Sequence, residues 1–212
     1  MENKRILCFG DSLTWGYNPR GGERFSWKER WTGVLERELG AGFRIIEEGL
    51  NGRTTVWDDP IEGDKSGKKH LTPLLESHRP LDLVVIMLGT NDLKDRFALS
   101  PFDIALGAGY LVEMVQKSKA GPGGGEPSVL LIAPPALSKL SAEMTSFQGG
   151  VKKSKELGKY YRIVAAMKKC HFLDAGEIVQ TSEIDGVHWE EEENLKFARA
   201  LAQKVREVLS RE

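Results

Sequence analysis

The sequence predicts an α/β fold with a parallel sheet of about five strands, covered by helices on both faces. Short apolar segments alternate along the chain with longer amphipathic segments. Parallel strands need crossover connections, which are usually helices, so this alternation is typical of such a sheet. The length of 212 residues suits one domain, and no linker or internal repeat divides the chain. We therefore expect residues 1–212 to form a single domain.

Continuous apolar segments, often rich in β-branched residues, mark the predicted strands. The clearest is the segment DLVVIML, which is apolar enough for a strand buried on both faces. The predicted strands cover residues 5–9, 43–48, 82–88, 128–132 and 171–173.

Apolar residues at helical spacing mark the segments between the strands. The predicted helices cover residues 31–39, 67–78, 102–117, 150–169 and 190–210. Gly40 is a stop signal for the first, and Pro73 is expected to interrupt the second. Ser100 and Pro101 suit the cap and first turn of the third. Two long irregular segments, 17–30 and 134–149, are expected to act as lids or substrate loops.

Composition narrows the choice of partners and cofactors. The chain has 30 Lys and Arg against 31 Asp and Glu, so a net charge of −1 gives no electrostatic reason to expect nucleic acid or an anionic membrane. Cys8 and Cys170 are isolated, so neither a zinc site nor a disulfide framework is expected. His70, His78 and His171 are expected to be structural or exposed, and no metal or other cofactor is predicted. The N-terminus lacks a secretory signal and no apolar run suits a membrane span, so a cytoplasmic protein is expected.

Polar residues follow several predicted strands at the point where each strand ends. The segments are 10–13 (GDSL), 49–53 (GLNGR), 89–92 (GTND) and, after a loop, 185–188 (DGVH). Ligands of open α/β sheets bind beyond the carboxyl ends of the strands. We therefore expect these four segments to converge at one edge of the sheet.

The residue types in these segments suit acyl transfer. Ser12 is a nucleophile once a base takes its proton, and His188 can be that base. Asp185, three residues earlier, can orient the imidazole. The side-chain amide of Asn91 and the backbone N–H groups of Gly52 and Ser12 can stabilise an oxyanion. Each segment alone could instead be an ordinary turn or helix cap, so the interpretation depends on their combination.

Taken together, these segments resemble the GDSL or SGNH hydrolase family. Residues 10–16 (GDSLTWG) match its nucleophile block, 89–92 its third block and 185–188 its last, with the oxyanion glycine mapped to Gly52. The resemblance spans essentially the whole chain and implies a flavodoxin-like three-layer α/β/α sandwich. It also implies catalytic Ser12, Asp185 and His188, and no cofactor. The Gly-x-Ser-x-Gly elbow of α/β-hydrolases is absent around Ser12.

Within the family, the chain resembles the bacterial aryl-esterase and acyltransferase branch. The resemblance implies a serine esterase that hydrolyses short-chain aryl or alkyl esters through an acyl-enzyme and can pass the acyl group to other acceptors. The segment 17–22 is shorter than in that branch, where this region shapes the pocket entrance and subunit contacts, so a homo-oligomer stays an open alternative. Asn51 also departs from the small residue expected beside the oxyanion glycine.

Three residues beside the nucleophile are expected to contact the substrate, namely Asp11, Trp15 and Tyr17. Aromatic rings at such a position can hold an aryl or acyl group, although they can also pack loops onto the sheet. Two other functions stay open. A carbohydrate O-deacetylase of the same family would use the same machinery with different loops. A flavodoxin-like module would bind a phosphate or flavin at the first strand end, but it would give His188 no role.

Overall fold

Five parallel strands form one sheet in a computed structural model, which describes residues 3–210. The strands are β1 (Lys4–Gly10), β2 (Phe43–Gly49), β3 (Leu83–Met87), β4 (Ser128–Ala133) and β5 (His171–Asp174). Their order across the sheet is β2-β1-β3-β4-β5. The predicted parallel sheet is therefore confirmed, and each strand lies within a residue or two of its expected bounds.

Seven α-helices connect and cover these strands within the described residues. They are α1 (Ser12–Trp15), α2 (Trp31–Leu39), α3 (Gly67–His78), α4 (Pro101–Lys117), α5 (Gly150–Ser154), α6 (Leu157–Lys168) and α7 (Glu191–Leu209). Ser100 and Asp103 form a reciprocal capping box at the start of α4, and Pro101 occupies its first turn, as the sequence predicts.

Two apolar layers sandwich the sheet, because successive side chains of a strand point to opposite faces. Ile6 and Cys8 of β1 pack in the layer that contains α2 and α7, whereas Leu7 and Phe9 pack in the layer that contains α3, α4 and α6. The fold is thus a three-layer α/β/α sandwich. The net result is a rigid sheet whose strand ends can position side chains accurately.

The strand ends are level at one edge of the sheet. Gly10, the last residue of β1, lies beside Gly49 of β2 and Met87 of β3. The chain leaves β1 toward β2 on one side and later returns to β3 on the other, so the order of strands reverses between β1 and β3. Such a reversal opens a crevice beyond the carboxyl ends of the two strands.

Two helical expectations need correction. The helix predicted over 150–169 is two helices, because α5 ends at Ser154 and α6 begins at Leu157. The Ser154 hydroxyl donates to the Val151 carbonyl (2.8 Å) and accepts from the Leu137 N–H (2.9 Å), so it competes with the helical backbone pattern. Helix α3, by contrast, continues through Pro73 without interruption.

The helices of the described residues were compared with the length and apolar character of a membrane span. None of the helices in residues 3–210 has both the length and the apolar character needed to cross a bilayer.

Candidate active site

Ser12 lies where β1 ends, at the first position of the short helix α1. Asp11 caps this helix, since its Oδ1 accepts the Leu13 N–H at 3.0 Å. The turn is therefore tight, and it places the Ser12 side chain at the carboxyl edge of the sheet. Asp11 itself is buried beneath the turn, and burial raises the pKa of its carboxyl to about 6.

Ser12, His188 and Asp185 form a continuous line of hydrogen-bonding groups. The Oγ of Ser12 is 2.9 Å from Nε2 of His188, and Nδ1 of His188 is 2.6 Å from Oδ2 of Asp185. The other Asp185 oxygen accepts the N–H groups of Val187 (2.8 Å) and His188 (2.9 Å). Burial alone would raise the pKa of Asp185, but these hydrogen bonds from His188 and the backbone lower it below its usual value. Asp185 is thus held as a carboxylate that fixes the orientation of the imidazole.

Gly52 lies in the turn after β2, with a φ of +81° that favours glycine. Its N–H has no hydrogen-bond partner among residues 3–210 and is free to donate into the pocket. The next residue, Arg53, fixes the turn by donating to the carbonyl of Gly10 (2.9 Å) and to that of Glu48. Burial lowers the pKa of Arg53 to about 10, which leaves it charged at neutral pH. The ends of β1 and β2 are thereby joined next to Gly52.

Asn91 begins a 3-10 turn, Asn91–Leu93, just beyond β3. One N–H of its side-chain amide donates to the Arg53 carbonyl at 3.1 Å, so the amide is oriented by the turn that carries Gly52. Asp92 strengthens this connection, because its two carboxylate oxygens accept the Thr55 N–H at 3.1 and 3.0 Å. The two segments with predicted oxyanion donors therefore form one hydrogen-bonded unit.

A pocket of about 220 Å³ unites these groups. Ser12, His188, Gly52 and Asn91 all line it, so four predicted site residues from separate parts of the chain lie around one cavity. A larger groove of about 660 Å³ lies between the loop after α1 and the start of α7, but its lining includes none of these four residues.

The three residues expected to contact substrate have different surroundings. Tyr17 lines the pocket, and its ring stacks on the His188 imidazole with centroids 4.1 Å apart. Trp15 is outside the pocket lining, and its ring lies under the Arg24 guanidinium at 5.0 Å. Asp11 is also outside the lining because it is buried beneath the Ser12 turn.

Sequence reasoning missed several residues of the pocket wall. Lys94 and Glu62 form an ion pair there, with Nζ and Oε1 2.5 Å apart, and Phe147 lies beneath the lysine ammonium. Phe147 belongs to the segment 134–149, which was expected to act as a lid or substrate loop. Asn51 was noted only as a departure from the family pattern, although it too lines the pocket. Lys94 and Glu62 lie in irregular segments far apart in sequence, so no local pattern could have revealed their pairing.

The described residues were expected to include no metal site. Among residues 3–210, no group of three or more His, Cys, Asp or Glu side chains is arranged to hold a metal ion.

Comparison with known proteins identifies relatives of this arrangement. Residues 8–197 match the model of the GDSL-like Lipase/Acylhydrolase family. The aryl esterase of M. smegmatis is 46% identical with a TM-score of 0.92, over 97% of this chain and 99% of that one. A carbohydrate acetylesterase from Sinorhizobium meliloti is 43% identical with a TM-score of 0.93, over the same shares of the two chains. No curated protein matches the chain.

Proposed function

Because the chain belongs to the GDSL-like lipase/acylhydrolase family and is a carboxylic ester hydrolase, we propose that it cleaves acyl esters through an acyl-enzyme on Ser12. The observation that carries the proposal is the line of short contacts from Ser12 through His188 to Asp185. A nucleophile, a base and a group that orients the base are the parts that nucleophilic catalysis requires. The flavin-binding alternative gives no role to this line.

In the first step, Nε2 of His188 accepts the Ser12 proton while Oγ attacks the ester carbonyl carbon. The carbonyl π electrons move to oxygen, which becomes the oxyanion of a tetrahedral intermediate. The intermediate then collapses, the bond to the alcohol oxygen breaks, and His188 returns the proton to that oxygen. The alcohol leaves and the acyl group stays on Ser12. Asp185 stabilises the imidazolium that exists between the two proton transfers.

In the second step, water attacks the acyl-enzyme and gives its proton to His188. The second tetrahedral intermediate expels Ser12 Oγ, which regains a proton from His188, and the free acid departs. An alcohol that replaces water in this step would receive the acyl group, so the same residues also suit acyl transfer.

The oxyanion of both intermediates is stabilised by three donors, which are the N–H groups of Ser12 and Gly52 and the side-chain amide of Asn91. The hydrogen bond from Asn91 to Arg53 supports this role, because it orients the amide before the substrate arrives. Donors that are fixed in advance stabilise developing charge without a cost of reorganisation.

The size of the pocket supports a small substrate. Its volume of about 220 Å³ lies below the ~300–1,000 Å³ of pockets for drug-sized ligands, so we propose short-chain aryl or alkyl esters. A carbohydrate O-deacetylase is the second candidate, and the polar residues Asn51, Glu62 and Lys94 in the pocket wall favour it. Comparing acetylated sugars with aryl acetates as substrates separates the two.

The proposal is tested with the variant Ser12→Ala and a fluorophosphonate probe. We expect Ser12→Ala to lower kcat for p-nitrophenyl acetate on the order of 10⁴-fold, because the covalent route is lost. Mass mapping of the labelled wild type should place the probe on Ser12. The matched control is Ser77→Ala, since Ser77 is an exposed serine on α3 and should leave rate and labelling unchanged. Parental turnover by Ser12→Ala, or labelling at another residue, contradicts the proposal.

A further inference from the structure

One wall of the pocket carries polar side chains that the proposed mechanism does not use. Asn51 comes from the turn after β2, Glu62 from the loop that follows, and Lys94 from the chain just after the 3-10 turn of Asn91. Lys94 is only 5% exposed, and its ammonium pairs with Oε1 of Glu62. Burying the Lys94 ammonium is costly even beside a carboxylate, and the Glu62 side chain is itself 37% exposed, so the location of this lysine inside a pocket calls for a functional reason.

Neighbouring groups hold this pair in a defined place. Arg96 donates to Oε1 of Glu62 at 2.5 Å and to Oδ2 of Asp59 at 2.7 Å. The other oxygen of Asp59 accepts the N–H groups of Ile61 (2.9 Å) and Glu62 (3.0 Å). The loop that carries Glu62 is therefore fastened to the segment that carries Lys94, and the polar wall is pre-organised.

The side chains of this wall also have donors and acceptors that no described residue uses. An ammonium has three N–H donors, and Lys94 uses one of them within residues 3–210, on Glu62. Oε2 of Glu62 has no partner among these residues and faces Gly52, where it would lie 2.5 Å from a Cβ placed on that glycine. The Asn51 amide likewise bonds to none of the described residues, and its oxygen is buried. Buried polar atoms are normally satisfied, so the Asn51 oxygen is open to a polar partner in the pocket, which Lys94 and Glu62 also line.

We propose, given the acyl-enzyme function, that Asn51, Glu62 and Lys94 form a subsite that binds a hydroxyl group of the ester substrate. A hydroxyl both donates and accepts, so it can donate to Glu62 while it accepts from Lys94. The charges of Glu62 and Lys94 cancel, as do those of Asp59 and Arg96, so the wall selects a neutral polar group over an ion. A purely alkyl or aryl group would leave these atoms unpaired.

The position of the subsite defines where the hydroxyl sits in the substrate. Glu62 adjoins Gly52, a donor to the oxyanion, so the hydroxyl lies within a few bonds of the scissile carbonyl. Two kinds of ester meet this condition. The hydroxyl belongs either to a polyol that is the alcohol part, as in a partly acetylated sugar, or to a 2-hydroxy acid that is the acyl part.

Two pairs of substrates test the subsite, and in each pair a methyl group replaces each hydroxyl. For the alcohol part, 1-acetylglycerol is compared with 2-methylbutyl acetate. For the acyl part, ethyl glycolate is compared with ethyl propionate. The measured quantity is kcat/KM for the ester with the hydroxyl divided by kcat/KM for its methyl analogue. This ratio is measured for the wild type, Lys94→Met and Glu62→Gln. Comparing the ratio between variants cancels the different intrinsic reactivities of the esters.

We expect the ratio of one pair to fall about tenfold or more in both variants, because Lys94→Met removes a charged donor and Glu62→Gln replaces a charged acceptor with a neutral amide. The pair that responds identifies the part of the substrate that carries the hydroxyl. Asn51→Ala should lower the same ratio. Glu62→Gln keeps the shape of a half-exposed side chain, so it remains informative if Lys94→Met fails to fold.

The matched control is Lys168→Met, because Lys168 pairs with Glu113 at 2.7 Å on the surface formed by α4 and α6. This variant should leave both ratios unchanged. Ratios that do not respond to Lys94→Met and Glu62→Gln overturn the subsite even when Ser12→Ala is inactive. Full activity of Ser12→Ala overturns the proposed function instead, so the two failures are distinguishable.

Discussion

The Tyr17 ring packs against the imidazole of His188, with an angle of 27° between the two planes. Its backbone N–H donates to the Ser12 carbonyl at 3.0 Å, so the ring is held by the same turn that carries the nucleophile. Stacking on one face limits rotation of the imidazole and shields it from water. We therefore propose that Tyr17 is a positioning residue for the proposed base, His188, in addition to lining the pocket.

Replacing Tyr17 with alanine should lower kcat/KM for p-nitrophenyl acetate about three- to tenfold, because an aromatic pair contributes about 0.5–1.5 kcal/mol. Tyr17→Phe should keep most of the rate, since it retains the stacked ring. Steady-state kinetics of the two variants beside the wild type measures the effect. Equal losses in both variants would assign the role to the hydroxyl, and no loss in Tyr17→Ala would remove the positioning role.

Individual site residues differed in how far the sequence could predict them. Ser12 and Asn91 directly follow buried strands, and the carboxyl ends of parallel strands meet at one edge, so their convergence was predictable. Lys94 and Glu62 are 32 positions apart in segments without periodic structure. Their pairing depends on how two irregular segments fold over each other, and local residue patterns carry no information about that.

Helix α7 is connected to the segment of the proposed base, His188, through one buried side chain. Oδ1 of Asn194, which is fully buried, accepts the backbone N–H of Trp31 at 3.2 Å and the indole N–H of Trp189 at 3.0 Å. Trp31 begins α2, and Trp189 directly follows His188. A single amide thus connects two helices of one layer to the segment that carries the base.

Asn194→Ala should lower the free energy of unfolding by about 2–4 kcal/mol, because two buried N–H donors would lose their acceptor. Urea-induced unfolding followed by circular dichroism measures the loss. Gln203→Ala is the control on the exposed side of the same helix and should change stability by less than about 0.5 kcal/mol. A loss as small as that of the control would show that Asn194 does not connect the layer.

Most elements could be predicted because their signals are local. Helix α2 has the predicted bounds, since apolar spacing and a following glycine define it. The break between α5 and α6 was missed, because it depends on a hydrogen bond between Ser154 and Leu137, 17 positions away. Propensity and periodicity describe neighbours in sequence, so a break caused by a tertiary contact falls outside their reach.

Two buried carboxyl groups, those of Asp11 and Asp92, lie just beyond the ends of β1 and β3, next to the candidate site. Burial raises the pKa of Asp92 to about 7 and that of Asp11 to about 6, against a usual value of 3.8. At these two carboxyl groups, the folded chain therefore binds more protons than the unfolded chain between about pH 4 and pH 7. Since stability falls with rising pH wherever the folded state binds more protons, both residues destabilise the fold as they ionise. The two buried carboxyl groups next to the candidate site therefore lower the free energy of unfolding near neutral pH.

Asp11→Asn should make the free energy of unfolding less dependent on pH. The asparagine oxygen can still accept the Leu13 N–H, but the buried charge is gone. A pKa raised from 3.8 to about 6 corresponds to about 3 kcal/mol, which the wild type loses as pH rises through 6 and the variant keeps. Urea unfolding between pH 4 and pH 8 measures the difference, which should grow in favour of the variant over this window. Asp64→Asn, at a side chain that is 87% exposed, is the control without a buried charge. Parallel pH profiles for Asp11→Asn and the wild type would show that the Asp11 carboxylate imposes no such cost on the fold.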